Sequence, residues 1–155
     1  MDDNLTIRLA FSEDIPVMVA LLGELFTIED DFTIDEQIQF HGLELLLQDS
    51  HSIVLVAEIP EGVVGMITLQ RVISTATGTY VGTIEDVIVT QEYRGSGIGS
   101  KLLDAAIEEA NSRGWGRLAL GVDLRNTKAI DFYQQKGFIT SHIGLMYNNV
   151  TKDEI

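Results

Sequence analysis

Apolar residues recur along this chain with two periods, three-to-four and two, and the alternation of those periods lays out its elements. Leu5 to Phe11 reads as a first strand. Ile15, Met18, Val19, Leu22, Leu25 and Phe26 then share one side of a helix, opened by Ser12 as an N-cap, with Glu13 and Asp14 behind it and Pro16 in its first turn. The acidic run Glu29-Asp30-Asp31 marks a loop. Thr33 and Glu36 hold capping-box spacing, which predicts a second helix from about Ile34 to Gln48. Two β-rich runs follow, Ser52–Ile59 and Val63–Ile73, and Pro60-Glu61-Gly62 between them predicts an antiparallel hairpin. Thr79–Thr90 is the next strand.

A helical stripe of Leu102, Leu103, Ala106, Ile107 and Ala110 occupies Ser100–Arg113 and stops at Gly114. Arg117–Val122 predicts a strand, Asn126–Lys136 a helix ended by Gly137, and Phe138–Val150 closing β structure. The resulting order is β-α-α-β-β-β-α-β-α-β over one domain spanning residues 1–155. It predicts a mixed α/β (α+β) fold, a central twisted sheet with helices on both faces.

Between the strand Ile84–Val89 and the helix lies Arg94-Gly95-Ser96-Gly97-Ile98-Gly99. Glycines at alternate positions leave a turn with little side-chain bulk, so backbone N–H groups can approach a ligand closely. A helix N-terminus follows at once, with unpaired N–H groups and a dipole that favour an anion. The pattern predicts a phosphate cradle. Its spacing excludes two nucleotide motifs. Counting from Gly95 and Gly97, a dinucleotide fingerprint needs its third glycine where Ser100 stands. Gly99-Ser100-Lys101-Leu102 breaks the Gly-Lys-Ser/Thr order of a P-loop.

Composition narrows the classes. Of 155 residues, 45% are hydrophobic and 22% charged, ordinary for a globular domain with a proper core. No apolar run approaches the ~20 residues that span a bilayer, so no membrane partner is expected. Met1-Asp2-Asp3-Asn4 lacks the basic-then-apolar pattern of a secretory leader, which makes the cytoplasm the expectation. Without cysteine there is no disulfide, thiolate metal site or cysteine nucleophile. His41, His51 and His142 show no metal-ligand spacing, so no metal is expected. The net charge of −14 argues against nucleic acid.

That charge is unevenly placed. Residues 1–90 hold only Arg8 and Arg71 against sixteen acidic side chains, whereas residues 91–155 hold eight of each sign. A balanced part could hold a polyanionic cofactor while an acidic part attracts a cationic acceptor.

Arg94, Gly97 and Gly99 match every specified position of Arg/Gln-x-x-Gly-x-Gly/Ala, and the segment resembles the acyl-coenzyme-A loop of the GNAT N-acetyltransferases. Asn126, Ala129, Phe132-Tyr133 and Gly137-Phe138 add that family's second pattern, and the element order resembles its fold over nearly the whole chain. The resemblance implies acetyl-coenzyme A as co-substrate and transfer of its acetyl group to a primary amine, by direct attack in a ternary complex. It implies cofactor contacts from Val87, Ile88 and Val89, from Arg94, Gly95, Ser96, Gly97, Ile98, Gly99 and Ser100, and from Asn126. Many relatives are dimers, so a homodimer stays open.

An amine of pKa near 10 arrives protonated and needs a base. Glu85 and Asp86 are adjacent carboxylates in an otherwise apolar strand beside the loop, and partial desolvation there favours a stronger base. Alternation sends one of the pair to the site and the other away. Glu85-Asp86-Val87-Ile88-Val89 with Tyr93-Arg94-Gly95 looks like the polyamine N-acetyltransferases, which implies Glu85 as base acting through water and Asp86 as a holder of the cationic substrate. Glu29 and Asp30 are further candidate substrate contacts. Tyr133 is the candidate general acid for the departing thiolate, since a phenol is protonated at neutral pH. Polyamine-like amines lead, with protein lysines or N-termini and aminoglycoside-type amines as alternatives. A non-catalytic acyl-coenzyme-A-binding regulatory module is the rival class.

Overall fold

In the computed structural model residues 4–29 and 33–151 are described. Their backbone groups into two compact units, the described residues up to Leu120 and those from Gly121 on. The first unit holds β1 (Thr6–Leu9), α1 (Ile15–Glu29), α2 (Glu36–Gln48), β2 (Ile53–Ile59), β3 (Gly62–Ser74), β4 (Thr79–Val89), α3 (Ile98–Ser112) and β5 (Leu118–Leu120). The five strands form one sheet in chain order. β1 to β4 pair antiparallel, while β5 runs parallel to β4. The mixed α/β sheet is as the patterning predicts.

Local chemistry moves some boundaries. Ser12 opens a 3-10 turn, Ser12–Asp14, rather than capping α1 directly. Asp14 holds that turn: its Oδ2 accepts the Phe11 N–H at 2.7 Å, and both its oxygens accept from Arg8. Asp35, not Thr33, caps α2, its Oδ1 accepting from the N–H groups of Gln37 and Ile38 at 3.1 and 3.3 Å. Aspartate satisfies two of the donors left over at a helix start, so the helix begins at Glu36.

The core is layered. Ile15, Met18, Val19, Leu21, Leu22 and Leu25 of α1 pack with Leu43 of α2 on Val54, Val56, Met66 and Ile88. On the opposite face α3 buries Leu102 and Leu103 completely, each worth ~1.5–3 kcal/mol relative to exposure. Gly65 lets α3 sit close: a Cβ there would lie 3.0 Å from Leu102 Cδ1.

The second unit contains α4 (Thr127–Gln135), capped by Asn126, whose Oδ1 accepts the Ala129 N–H at 3.0 Å. The closing β structure predicted for Phe138–Val150 is not formed among the described residues. Ile139, Met146 and Val150 there are more than four-fifths exposed. β-branched composition favours a strand only where a neighbouring strand supplies a ladder and a surface to pack on.

Candidate active site

β4 changes character at Glu85. Toward its start it is paired on both sides, to β3 and, from Gly82 to Ile84, to β5. Pairing with β5 ends at Ile84, so from Glu85 to Val89 that edge of β4 carries no strand among the described residues. The ladder to β3 also slips there: Ile84 lies opposite Leu69 and Asp86 opposite Thr68, leaving Glu85 as the extra residue of a β-bulge. In an unbroken strand Ile84 and Asp86 would share a face. The bulge puts Ile84 with Leu69 and Asp86 with Thr68, on opposite faces. Strict alternation, the basis for separating Glu85 from Asp86, therefore does not apply across this step.

Below the bulge the main chain is set for an added ligand strand. The Thr90 N–H donates to the Val64 carbonyl of β3 at 2.8 Å. In an antiparallel ladder alternate residues address the same neighbour, so Ile88 also turns to β3 while Val87 and Val89 turn to the free edge. The Val89 carbonyl confirms its direction by accepting from Arg94 Nε at 2.7 Å. Ile88, named with its neighbours in the sequence, is a buried core residue against α1 and supports the edge from behind.

The two carboxylates sit in different surroundings. Asp86 is partly buried on the α1 side, and its Oδ2 accepts the Thr68 hydroxyl at 2.7 Å. Burial pushes its carboxyl above the usual range, and the Thr68 bond opposes this in part. Glu85 keeps an exposed side chain, yet partial desolvation raises its carboxyl too, with the Asp86 charge as the second cause. Two neighbouring acids are thus both held toward the proton-accepting range a general base needs.

The glycine loop has the conformation its composition suggests. Gly95 and Gly97 have φ of 80° and 91°, left-handed backbone that side chains rarely adopt. Gly97 caps α3, and Gly99 brings the first turn close to Val89, where a Cβ would meet Val89 Cγ2 at 3.8 Å. Ile98, Gly99 and Ser100 form that first turn, whose N–H groups lack helical partners. Ser96 Oγ donates to the Tyr93 carbonyl at 2.6 Å and stiffens the turn. Arg94 is engaged differently from a free phosphate ligand: besides Val89 it donates from Nη2 to Glu24 Oε1 at 3.0 Å. A narrow positive-φ turn feeding a helix start, beside an unpaired strand edge, suits a diphosphate followed by an extended amide-bearing arm.

In the second unit Tyr133 lies on α4, edge-on to the rings of Phe132 and Phe138 at centroid distances of 5.1 and 5.8 Å. Asn126 begins the same helix. In the first unit the structure gathers Glu85, Asp86, Val87, Val89 and the loop Arg94–Ser100. Glu29 ends α1, and Asp30 lies outside the described residues. Among the described residues no cluster of three or more metal-ligating side chains occurs, and no helix is long and apolar enough to cross a membrane. Thr68 and Glu24 escape the sequence reading. Threonine in an apolar strand reads as a strand former, and a lone glutamate in α1 reads as its solvent face.

Comparison with known proteins agrees with this geometry. The profile of the acetyltransferase (GNAT) family matches residues 18–138. The chain belongs to that family. The aminoalkylphosphonate N-acetyltransferase of Salmonella typhimurium is 32% identical over 136 residues, covering 88% of this chain and 86% of the relative. A thialysine N-epsilon-acetyltransferase of Sus scrofa is 40% identical over 91 residues, covering 54% of this chain and 53% of its own. A solved structure named as a transcriptional regulator from Bacillus halodurans superposes with a TM-score of 0.83 at 31% identity, covering 94% of this chain and 99% of its own. The protein is an acetyl-coenzyme-A-dependent N-acetyltransferase.

Proposed function

We propose that the protein acetylates the primary amine of a small cationic acceptor, with polyamine-like molecules as the leading class. The observation that carries this reading is the Glu85–Asp86 pair at the end of the β4–β5 ladder, two carboxylates with raised affinity for protons beside the free edge of β4. In the proposed reaction a water relays the acceptor's proton to Glu85. The amine nitrogen forms a bond to the acetyl carbon, the carbon–sulfur bond breaks, Tyr133 Oη gives its proton to the departing thiolate, and the second proton lost by the nitrogen restores the phenol. Asp86 holds the acceptor's positive charge. N–H and C=O groups of Val87 and the N–H of Val89 take the cofactor's extended arm, and the loop from Gly95 to Ser100 takes its phosphates, with Asn126 a further contact. Oxyanion stabilisation by a β4 N–H supplies the electrostatic part. The thialysine enzyme's side-chain amine fits this acceptor class. Aminoglycoside-type amines, protein lysines and N-termini are the competing acceptors.

Tyr133→Phe tests the role given to the phenol. That substitution should lower kcat by roughly 10²-fold or more while coenzyme A binding survives. An unchanged kcat would remove Tyr133 from the reaction.

A further inference from the structure

We propose that Glu24 is a positioning residue for the cofactor loop, a role that rests on the acyl-coenzyme-A reading of that loop given above. Glu24 belongs to α1, some seventy residues away in sequence, yet its carboxylate takes three donors from the segment leaving β4. Oε2 accepts the Thr90 hydroxyl at 2.7 Å. Oε1 accepts the Gln91 N–H at 3.1 Å and Arg94 Nη2 at 3.0 Å. Arg94 closes the arrangement by donating from Nε to the Val89 carbonyl at 2.7 Å. Both ends of the short turn Gln91–Tyr93 are thereby pinned to α1 immediately before Gly95 and Gly97.

This arrangement adds little to global stability, because the two charged side chains are about one-third exposed, at 34% and 38%, and water screens them. Its effect is local. Gly95 and Gly97 have no side chains to anchor them, so the orientation of their peptide groups is inherited from the turn that precedes them. Bare electrostatics predicts the opposite sign of effect. A carboxylate close to an anion site repels the anion, so removing it should tighten binding if charge alone mattered. Likewise, if Arg94 served the phosphates directly, deleting Glu24 would free it for them. A positioning role predicts weaker binding instead. The direction of the change decides between them.

Coenzyme A is titrated calorimetrically into the wild type, Glu24→Ala, Glu24→Gln, Arg94→Ala and the Ala/Ala double variant, with thermal melts confirming that each is folded. The steady-state constants are measured alongside. Glu24→Ala should raise the coenzyme A Kd and the acetyl-coenzyme A KM on the order of tenfold, leaving kcat and the amine KM within about twofold. Glu24→Gln, which keeps an acceptor oxygen for Gln91 and Arg94, should recover most of the loss. The double variant should be no weaker than the weaker single, as expected of residues acting through one another. Unchanged or tighter binding by Glu24→Ala overturns the role. A wild type that itself binds no coenzyme A overturns the reading of the loop and this role with it, a result distinct from a loss confined to the variants.

Discussion

At the scale of residues, the base assignment turns on how two adjacent carboxylates are solvated. Asp86 has a hydroxyl partner in Thr68 and is the more enclosed, whereas Glu85 sits at the bulge with its side chain exposed. Water reaches Glu85, which suits a base that works through a water molecule. Its carboxyl is raised above the ordinary range, first by partial burial and then by Asp86. The active form is the ionised one, so activity should rise with pH as the proton is lost. The acidic limb of kcat/KM should therefore lie above the usual carboxylate range. Glu85→Gln should abolish that limb and lower kcat by roughly 10²–10⁴-fold, with coenzyme A binding unchanged. A limb that persists in Glu85→Gln and disappears in Asp86→Asn moves the base to Asp86.

At the scale of elements, β4 and the helix after it position the carboxylate pair, the strand edge and the glycine loop. The start of β4 is fixed by Trp115, which is buried and lies against Gly82. A Cβ on Gly82 would come within 2.5 Å of the Trp115 ring and 2.8 Å of Leu118 Cδ2. Gly82→Ala should therefore cost about 1–3 kcal/mol, read from urea melts followed by Trp115 fluorescence. A variant as stable as wild type would mean that β5 and Trp115 repack freely. Elements of this kind were legible in the sequence because their periodicity is local: the α3 stripe, the β2–β3 hairpin and the glycine loop all follow from neighbours in the chain. The bulge at Glu85 was not, since no glycine or proline marks it and it exists only relative to Thr68 and Leu69 on another strand. Glu24 was equally hidden, because its partners lie between Thr90 and Arg94. Phe138–Val150 was overread for the converse reason: composition signals a preference, and pairing decides the outcome.

At the scale of the whole molecule, charge is divided along the chain, with the net −14 carried by residues 1–90 and balance over residues 91–155. A cationic acceptor drawn by that surplus is drawn through solvent, so salt should weaken the attraction as the screening length falls from about 10 Å at 0.1 M to about 3 Å at 1 M. The KM for the amine should then rise with ionic strength while kcat holds steady. The most direct measurement is release of the coenzyme A thiol from acetyl-coenzyme A, with mass-spectrometric identification of the acetylated product. It is run across polyamines, thialysine and other amino acids, aminoalkylphosphonates, aminoglycosides and lysine peptides, at low and high salt. The predicted result is turnover concentrated on small polycationic primary amines, with a KM that climbs with salt. Turnover confined to neutral or anionic amines, or coenzyme A binding with no amine acetylated at all, would contradict it.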